Sequence, residues 1–285
     1  MVMNSAHGAP PTTDAVNWWS TDTASVAGTL ILIALASAFA MAARRRSRSG
    51  RTWPRYRTWS YVGGCGVVAA TLFSGIAHYD DLFAVHVGQH LVLMMVAPIL
   101  LVYGGPLRLL TRSLPQRTRS EVSAVLADPL VRRFTAGPRA VYWLCADYYG
   151  SMAVYLLTPI YRWSTEHQWL HISAHMYFFL CGLLFWIPLI GEDPIGRRTP
   201  WPTRRVMLTM GVPFYIALGT AVALLPTVSA LPGAAAAGTV LALGGSALSV
   251  AGLTVLWLRA HRGTVGLAGT RPDAIEGAGS WPAAC

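Results

Sequence analysis

The sequence predicts an all-α membrane protein, a polytopic bundle of seven transmembrane helices with the amino terminus outside and the carboxyl terminus in the cytoplasm. Three observations carry that prediction. Apolar residues make up 54% of the chain and charged residues only 12%, a balance foreign to ordinary soluble domains. The apolar residues fall in runs of about 20, the length that spans about 30 Å of hydrocarbon as a helix. The basic residues, all Arg with no Lys, collect between alternate runs, as the positive-inside rule requires.

Taken in order, the runs are residues 24–43, 59–77, 83–103, 139–158, 170–190, 206–226 and 235–258. Helices are expected throughout, because an isolated segment in lipid must satisfy its own backbone hydrogen bonds. The first run lacks a positive flank before it and is followed by Arg44, Arg45 and Arg46, so it reads as an anchor with its start outside rather than a cleaved leader. Residues 1–23 read as a flexible extracytoplasmic tail, 24–258 as the membrane domain, and 259–285, rich in Gly and Pro, as a disordered cytoplasmic tail. The longest connection, about 104–138, has the mixed polarity of a short surface helix near Arg119 to Leu130.

With seven crossings every Arg cluster lies on one side: Arg44 to Arg57, Arg108 to Arg119, Arg132 to Arg139, Arg197 to Arg205 and Arg259 to Arg271, with Arg162 alone outside. A formal net charge of +10 is thereby explained by topology and by anionic lipid headgroups, which become the expected partners; nucleic acid does not. Cys65, Cys145 and Cys181 lie in three different apolar runs and Cys285 ends the chain, so the cysteines form no framework and read as small buried apolar groups. Trp18, Trp19, Trp163 and Trp169 fit an aromatic belt at the outer interface.

Against this apolar background two histidine pairs stand out, His86/His90 and His171/His175. Each pair is spaced i, i+4 and so presents two imidazoles on one helical face. Ionisable groups within membrane segments are costly and mark functional sites by default. Both pairs sit in the first outer turns of helices running inward, the third and the fifth, and at 1.5 Å per residue they share a depth of roughly 10 Å. If those helices are neighbours, four nitrogens converge. Weaker candidates to join them are His78, Asp80 and Asp81 in the turn before the third helix, His167 in the next outer loop, and Met94, which continues the series after His90. Imidazole with thioether suits copper, especially Cu(I). Asp147, in the fourth run, reads either as an ion or proton site or as a carboxylate bonded to tyrosine hydroxyls on a neighbouring helix.

The run His86-Val-Gly-Gln-His90-Leu-Val-Leu-Met94-Met95-Val-Ala-Pro98, followed by Gly104-Gly105-Pro106-Leu107-Arg108, resembles the third-helix signature of the CtaG family of bacterial cytochrome c oxidase assembly factors. Thr158-Pro159-Ile160-Tyr161, His171-Ile-Ser-Ala-His175 and Leu183-Leu184-Phe185-Trp186 with Pro188 extend the resemblance, which covers about 59–226. It implies a multi-pass protein of the bacterial plasma membrane, not an enzyme, that binds copper at His86, His90, His171 and His175 and aids its insertion into an oxidase subunit or another copper protein. Two departures are visible. Leu156 and Leu157 stand where similar sequences carry a further His, and the last outer loop is short, about Pro226 to Gly233. Two other chemistries share the residue set: a bis-His haem protein for electron transfer, and an intramembrane zinc hydrolase using three His with Asp80 or Asp81 as base.

Overall fold

The computed structural model describes residues 19–80, 82–113, 115–129, 138–190 and 199–268. Among them the chain is helical, with one isolated bridge between Trp19 and Ser74. The elements are α1 (Thr23–Arg48), α2 (Arg55–Phe73), a 3-10 turn (Gly75–Tyr79), α3 (Phe83–Leu91), a π turn (Val92–Val96), α4 (Ala97–Gly104), α5 (Pro106–Ser113) and α6 (Gln116–Ala127). They continue as α7 (Pro138–Leu157), α8 (Ile160–Glu166), α9 (Gln168–Ile190), α10 (Trp201–Thr209), α11 (Gly211–Leu224), α12 (Pro226–Ser229), α13 (Ala234–Thr239), a second π turn (Val240–Gly245) and α14 (Ser246–Ala268).

Local chemistry places the ends. Asp22 caps α1, its carboxylate accepting from the amides of Ala24 and Ser25 at 3.1 and 3.0 Å, and Arg45, Arg46 and Arg48 complement the negative end of that helix dipole. The column made by α3, the π turn and α4 stops at Gly105, whose φ of 70° is a left-handed conformation that a side chain resists. Pro106 then opens α5. The surface helix expected in the long connection is present as α6.

Among the described residues, five helical stretches are long and apolar enough to cross a membrane: Thr23–Arg48, Phe83–Ser113, Gln168–Ile190, Trp201–Leu224 and Ala234–Leu258. The other two predicted runs correspond to α2 and α7, of 19 and 20 residues, whose Tyr, Trp, Ser, Arg and Asp side chains make them more polar. The Phe83–Ser113 stretch is the centre of the bundle, with 67% of its apolar portion buried against 11% in α1. It packs on α2, α9 and α13, while α7 closes on α9 and α11. Phe178, Phe185 and Trp186 of α9, Met94 and Met95 of the π turn, Tyr148 of α7 and Tyr215 of α11 fill one continuous core. Around it, apolar side chains such as Leu30, Ile31, Leu180 and Leu243 are exposed, the expected state of a surface that faces lipid.

Two sequence expectations need correction. The third helix is not a regular α-helix through Met94, because Val92–Val96 forms a π turn. Residues after 258 do not leave the helix at once, since α14 continues to Ala268. The short connection after α11 holds the single turn α12. Trp18 of the expected aromatic belt lies outside the described residues, as do both chain ends.

Candidate metal centre

The two histidine pairs occupy the same register on their helices. His86 and His90 stand three and seven residues after Phe83, the first residue of α3; His171 and His175 stand three and seven after Gln168, the first of α9. Equal rise therefore puts them at equal depth, and the packing of α9 on the central column turns them toward each other. The ring centroids of His86 and His171 are 5.1 Å apart, those of His86 and His175 5.4 Å, and those of His90 and His175 4.7 Å. Within each pair the spacing is 4.5 Å.

Asp80, at the end of the 3-10 turn, ties the two helices together. Its Oδ1 lies 2.7 Å from His86 Nδ1 and its Oδ2 2.8 Å from His171 Nε2. The second approach is close but poorly aligned for a hydrogen bond, leaving the His171 nitrogen without a proper partner. Asp80, His86, His171 and His175 each offer one ligand atom, and these atoms lie within 4.8 Å of one another. His90, fully buried, joins through its Nε2, 2.8 Å from His86 Nε2.

A residue the sequence reading missed completes the inner wall. The Tyr155 hydroxyl of α7 is 3.1 Å from His86 Nε2 and 2.7 Å from Ser164 Oγ. The Ser164 hydroxyl donates to the Tyr161 carbonyl at 2.6 Å, so its oxygen accepts the Tyr155 proton and the phenolic lone pairs are left facing His86. His90 Nδ1 and His175 Nε2 are also buried without partners. Buried unpaired polar nitrogens are costly, and a cation bound by those that carry a lone pair relieves that cost. Tyr155 was detectable in principle, because it ends α7 at the depth of the imidazoles. Leu156, beside it in sequence, is buried in the core.

The remaining candidates are placed as follows. Met94 is fully buried in the π turn, its carbonyl accepting from the Trp186 indole at 3.1 Å. The widened turn takes it out of the regular series that began at His86 and His90. His167 is exposed after α8, with Nδ1 3.0 Å from the Trp163 carbonyl, and stands apart from the cluster. His78 lies in the 3-10 turn but its side chain is outside the described set, as is Asp81. Asp147 pins α7 to α9: Tyr177 donates to its Oδ1 at 2.5 Å and Cys181 to its Oδ2 at 3.1 Å.

Two consequences are measurable. Removing the phenolic hydroxyl in Tyr155→Phe takes away the Ser164 hydrogen bond and the polar contact with His86 Nε2, a loss of about 1 kcal/mol, so metal affinity is expected to fall about fivefold with folding intact; an unchanged affinity would separate Tyr155 from the site. Asp147→Ala is expected to lower stability by roughly 0.6 kcal/mol for each lost bond within the membrane and to leave metal content unchanged.

Burial raises the Asp80 carboxyl, but the close approach of His171 and the hydrogen bond and charge of His86 outweigh it and hold the group below its usual range. A depressed carboxylate contributes stability above its unfolded value of about 3.9 and loses it as pH falls through the folded value. The difference in thermal midpoint between metal-free wild type and Asp80→Asn is therefore expected to shrink as pH falls below about 4.

A bundle of apolar helices closing over a buried histidine and aspartate cluster at one end defines a helical membrane protein with a candidate metal centre. Its residues 37–262 match the family model for the cytochrome c oxidase caa3 assembly factor, Caa3_CtaG, and the chain belongs to that family. It is 32% identical over 245 residues to proteins of Mycobacterium bovis and Mycobacterium tuberculosis described only as uncharacterized, covering 79% of this chain and 34% of theirs. A Mycobacterium leprae protein is 32% identical over 184 residues, 62% of this chain and 28% of its own. The chain thus spans about a third of the length of these curated relatives. No solved structure matches it.

Proposed function

We propose that this chain is a copper-handling assembly factor for cytochrome c oxidase, without turnover of its own. Seven helices, α2 and α7 included, cross the bacterial plasma membrane, with the Arg-rich ends in the cytoplasm and the histidine centre near the outer face. His86, His90, His171 and His175, with Asp80 as bridge, hold one copper ion as cargo. They release it to an oxidase subunit or another copper protein by ligand exchange, each Cu–N bond being replaced by one from the acceptor.

The observation that carries this reading is the convergence of Asp80, His86, His171 and His175 with their ligand atoms within 4.8 Å, two of the imidazole nitrogens being buried and unpartnered. Family membership supplies the oxidase as client. Neutral imidazoles suit Cu(I), and Asp80 on His86 Nδ1 is the kind of carboxylate contact that orients a ligating imidazole. Direct contact among the four rings favours an ion over a haem, which needs an apolar slot between its axial ligands. Asp80, engaged by two histidines, is poorly placed as the free base a zinc hydrolase would use.

The test is metal and haem analysis of purified full-length protein beside a variant with all four histidines replaced by Ala. The expected result is no Soret band and about one Cu(I) per chain in wild type, lost in the variant. Equal copper in both would refute the centre, and stoichiometric haem would replace the reading with electron transfer.

A further inference from the structure

The end of the molecule opposite the histidines holds a second feature. Between the last turns of α1 and the first turn of α2 lies a cavity of about 550 Å³, lined by Arg44, Ser47, Arg48, Arg55, Thr58 and Trp59 among others. Three arginines line it, and among the described residues no Asp or Glu pairs with Arg44, Arg48 or Arg55. Three positive charges around one hollow favour an anion there.

The backbone adds to this. A helix leaves its first amide groups unsatisfied, and α1 meets that need with Asp22. Helix α2 begins after Pro54, which has no side-chain acceptor, and its start is uncapped. Arg55 and Thr58, both lining the cavity, belong to that first turn. An uncapped helix start facing a cavity with three Arg has the donors and the charge that bind phosphate. The neighbouring indole of Trp59 is 73% exposed and suits the boundary between headgroup and acyl chain.

We propose that this cavity binds the phosphate of an anionic phospholipid headgroup, with Arg44, Arg48 and Arg55 as its counter-charges, Thr58 and the α2 amides as donors, and Trp59 against the glycerol and upper acyl chain. The inference rests on the reading that the Arg-rich ends face the cytoplasmic leaflet, but not on copper. A lipid seated there neutralises the charge and joins α1, the most exposed of the apolar helices, to α2.

The test uses full-length protein in phosphatidylcholine nanodiscs with and without about 10 mol% phosphatidylglycerol, read by native mass spectrometry for retained lipid and by thermal midpoint. Wild type is expected to retain phosphatidylglycerol selectively. Arg48→Gln/Arg55→Gln is expected to cut retention about tenfold, while Arg112→Gln/Arg117→Gln, the same charge change outside the cavity, changes it less than twofold. Thr58→Val, which preserves shape, is expected to cut it about threefold and serves if the double variant misfolds. Equal loss in both Arg pairs, or no selectivity in wild type, overturns the proposal. Stabilisation by millimolar inorganic phosphate in pure phosphatidylcholine discs, with no preference for phosphatidylglycerol, overturns the lipid as ligand. Copper content is measured in the same samples and is expected to be unchanged, so failure of this site is distinguishable from failure of the metal centre.

Discussion

His171→Ala is expected to lower Cu(I) affinity by at least about 100-fold while leaving the helices formed, because two functions are lost with one ring. The imidazole is a ligand in its own right, and its Nε2, 2.8 Å from Asp80, is the contact by which α9 meets the bridge between the pairs. Outer contacts that orient metal ligands are worth about 10–100-fold by themselves, so Asp80→Asn, which keeps every imidazole, is expected to fall in that lower range. His86 shares the same carboxylate at 2.7 Å. The double variant His86→Ala/His171→Ala should therefore cost less than the sum of its singles, as expected for residues within one network. Chelator-competition titration of the purified protein measures all four. A change below about threefold for His171→Ala would remove α9 from the centre.

The second large effect is expected from a residue that touches no metal. Gly182 lies on α9 where that helix meets the π turn, and a side chain there would place its Cβ 2.5 Å from the Met94 carbonyl and 2.8 Å from its Cα. Main-chain atoms cannot rotate away, so the helices must separate. Overpacking of this kind costs about 1–3 kcal/mol, and small residues at such crossings are what allows membrane helices to approach closely. Gly182→Val is therefore expected to reduce stability by that amount and to weaken Cu(I) binding more than tenfold with every ligand in place, because it moves His171 and His175 away from His86 and His90. Gly66→Val is the control, since a Cβ there meets nothing within 4 Å. Met94→Ala should not rescue the defect, because the clash is with backbone. Normal copper binding by Gly182→Val would show that helix separation does not govern the site.

Much of the centre was legible in the sequence because helical periodicity is local. The i, i+4 spacing of each pair, and the placement of both near the start of an apolar run, predict one face and one depth without knowledge of any neighbour. Asp80 was legible as one of several weaker candidate ligands in the turn before the third helix. Its bridging role depends on the direction in which the 3-10 turn aims the carboxylate, and no spacing rule encodes that. Tyr155 was hidden for a related reason: a tyrosine at the end of an apolar helix reads as interfacial packing until α7 is seen against α3. The regular series through Met94 misled, since a π turn changes the angular step without any signal in residue type.

The sequence by itself determined the solvent, the helical class and the polarity of the molecule, imidazole at one end and guanidinium at the other, since these follow from hydropathy, segment length and charge counted along the chain. Only the tertiary structure decided that α9 lies beside the central column, that Gly182 lets it approach Met94, and that Asp80 and Tyr155 turn toward the same imidazoles. Those are matters of contact between distant segments. They depend on side-chain volume and orientation in three dimensions, which a one-dimensional period does not carry.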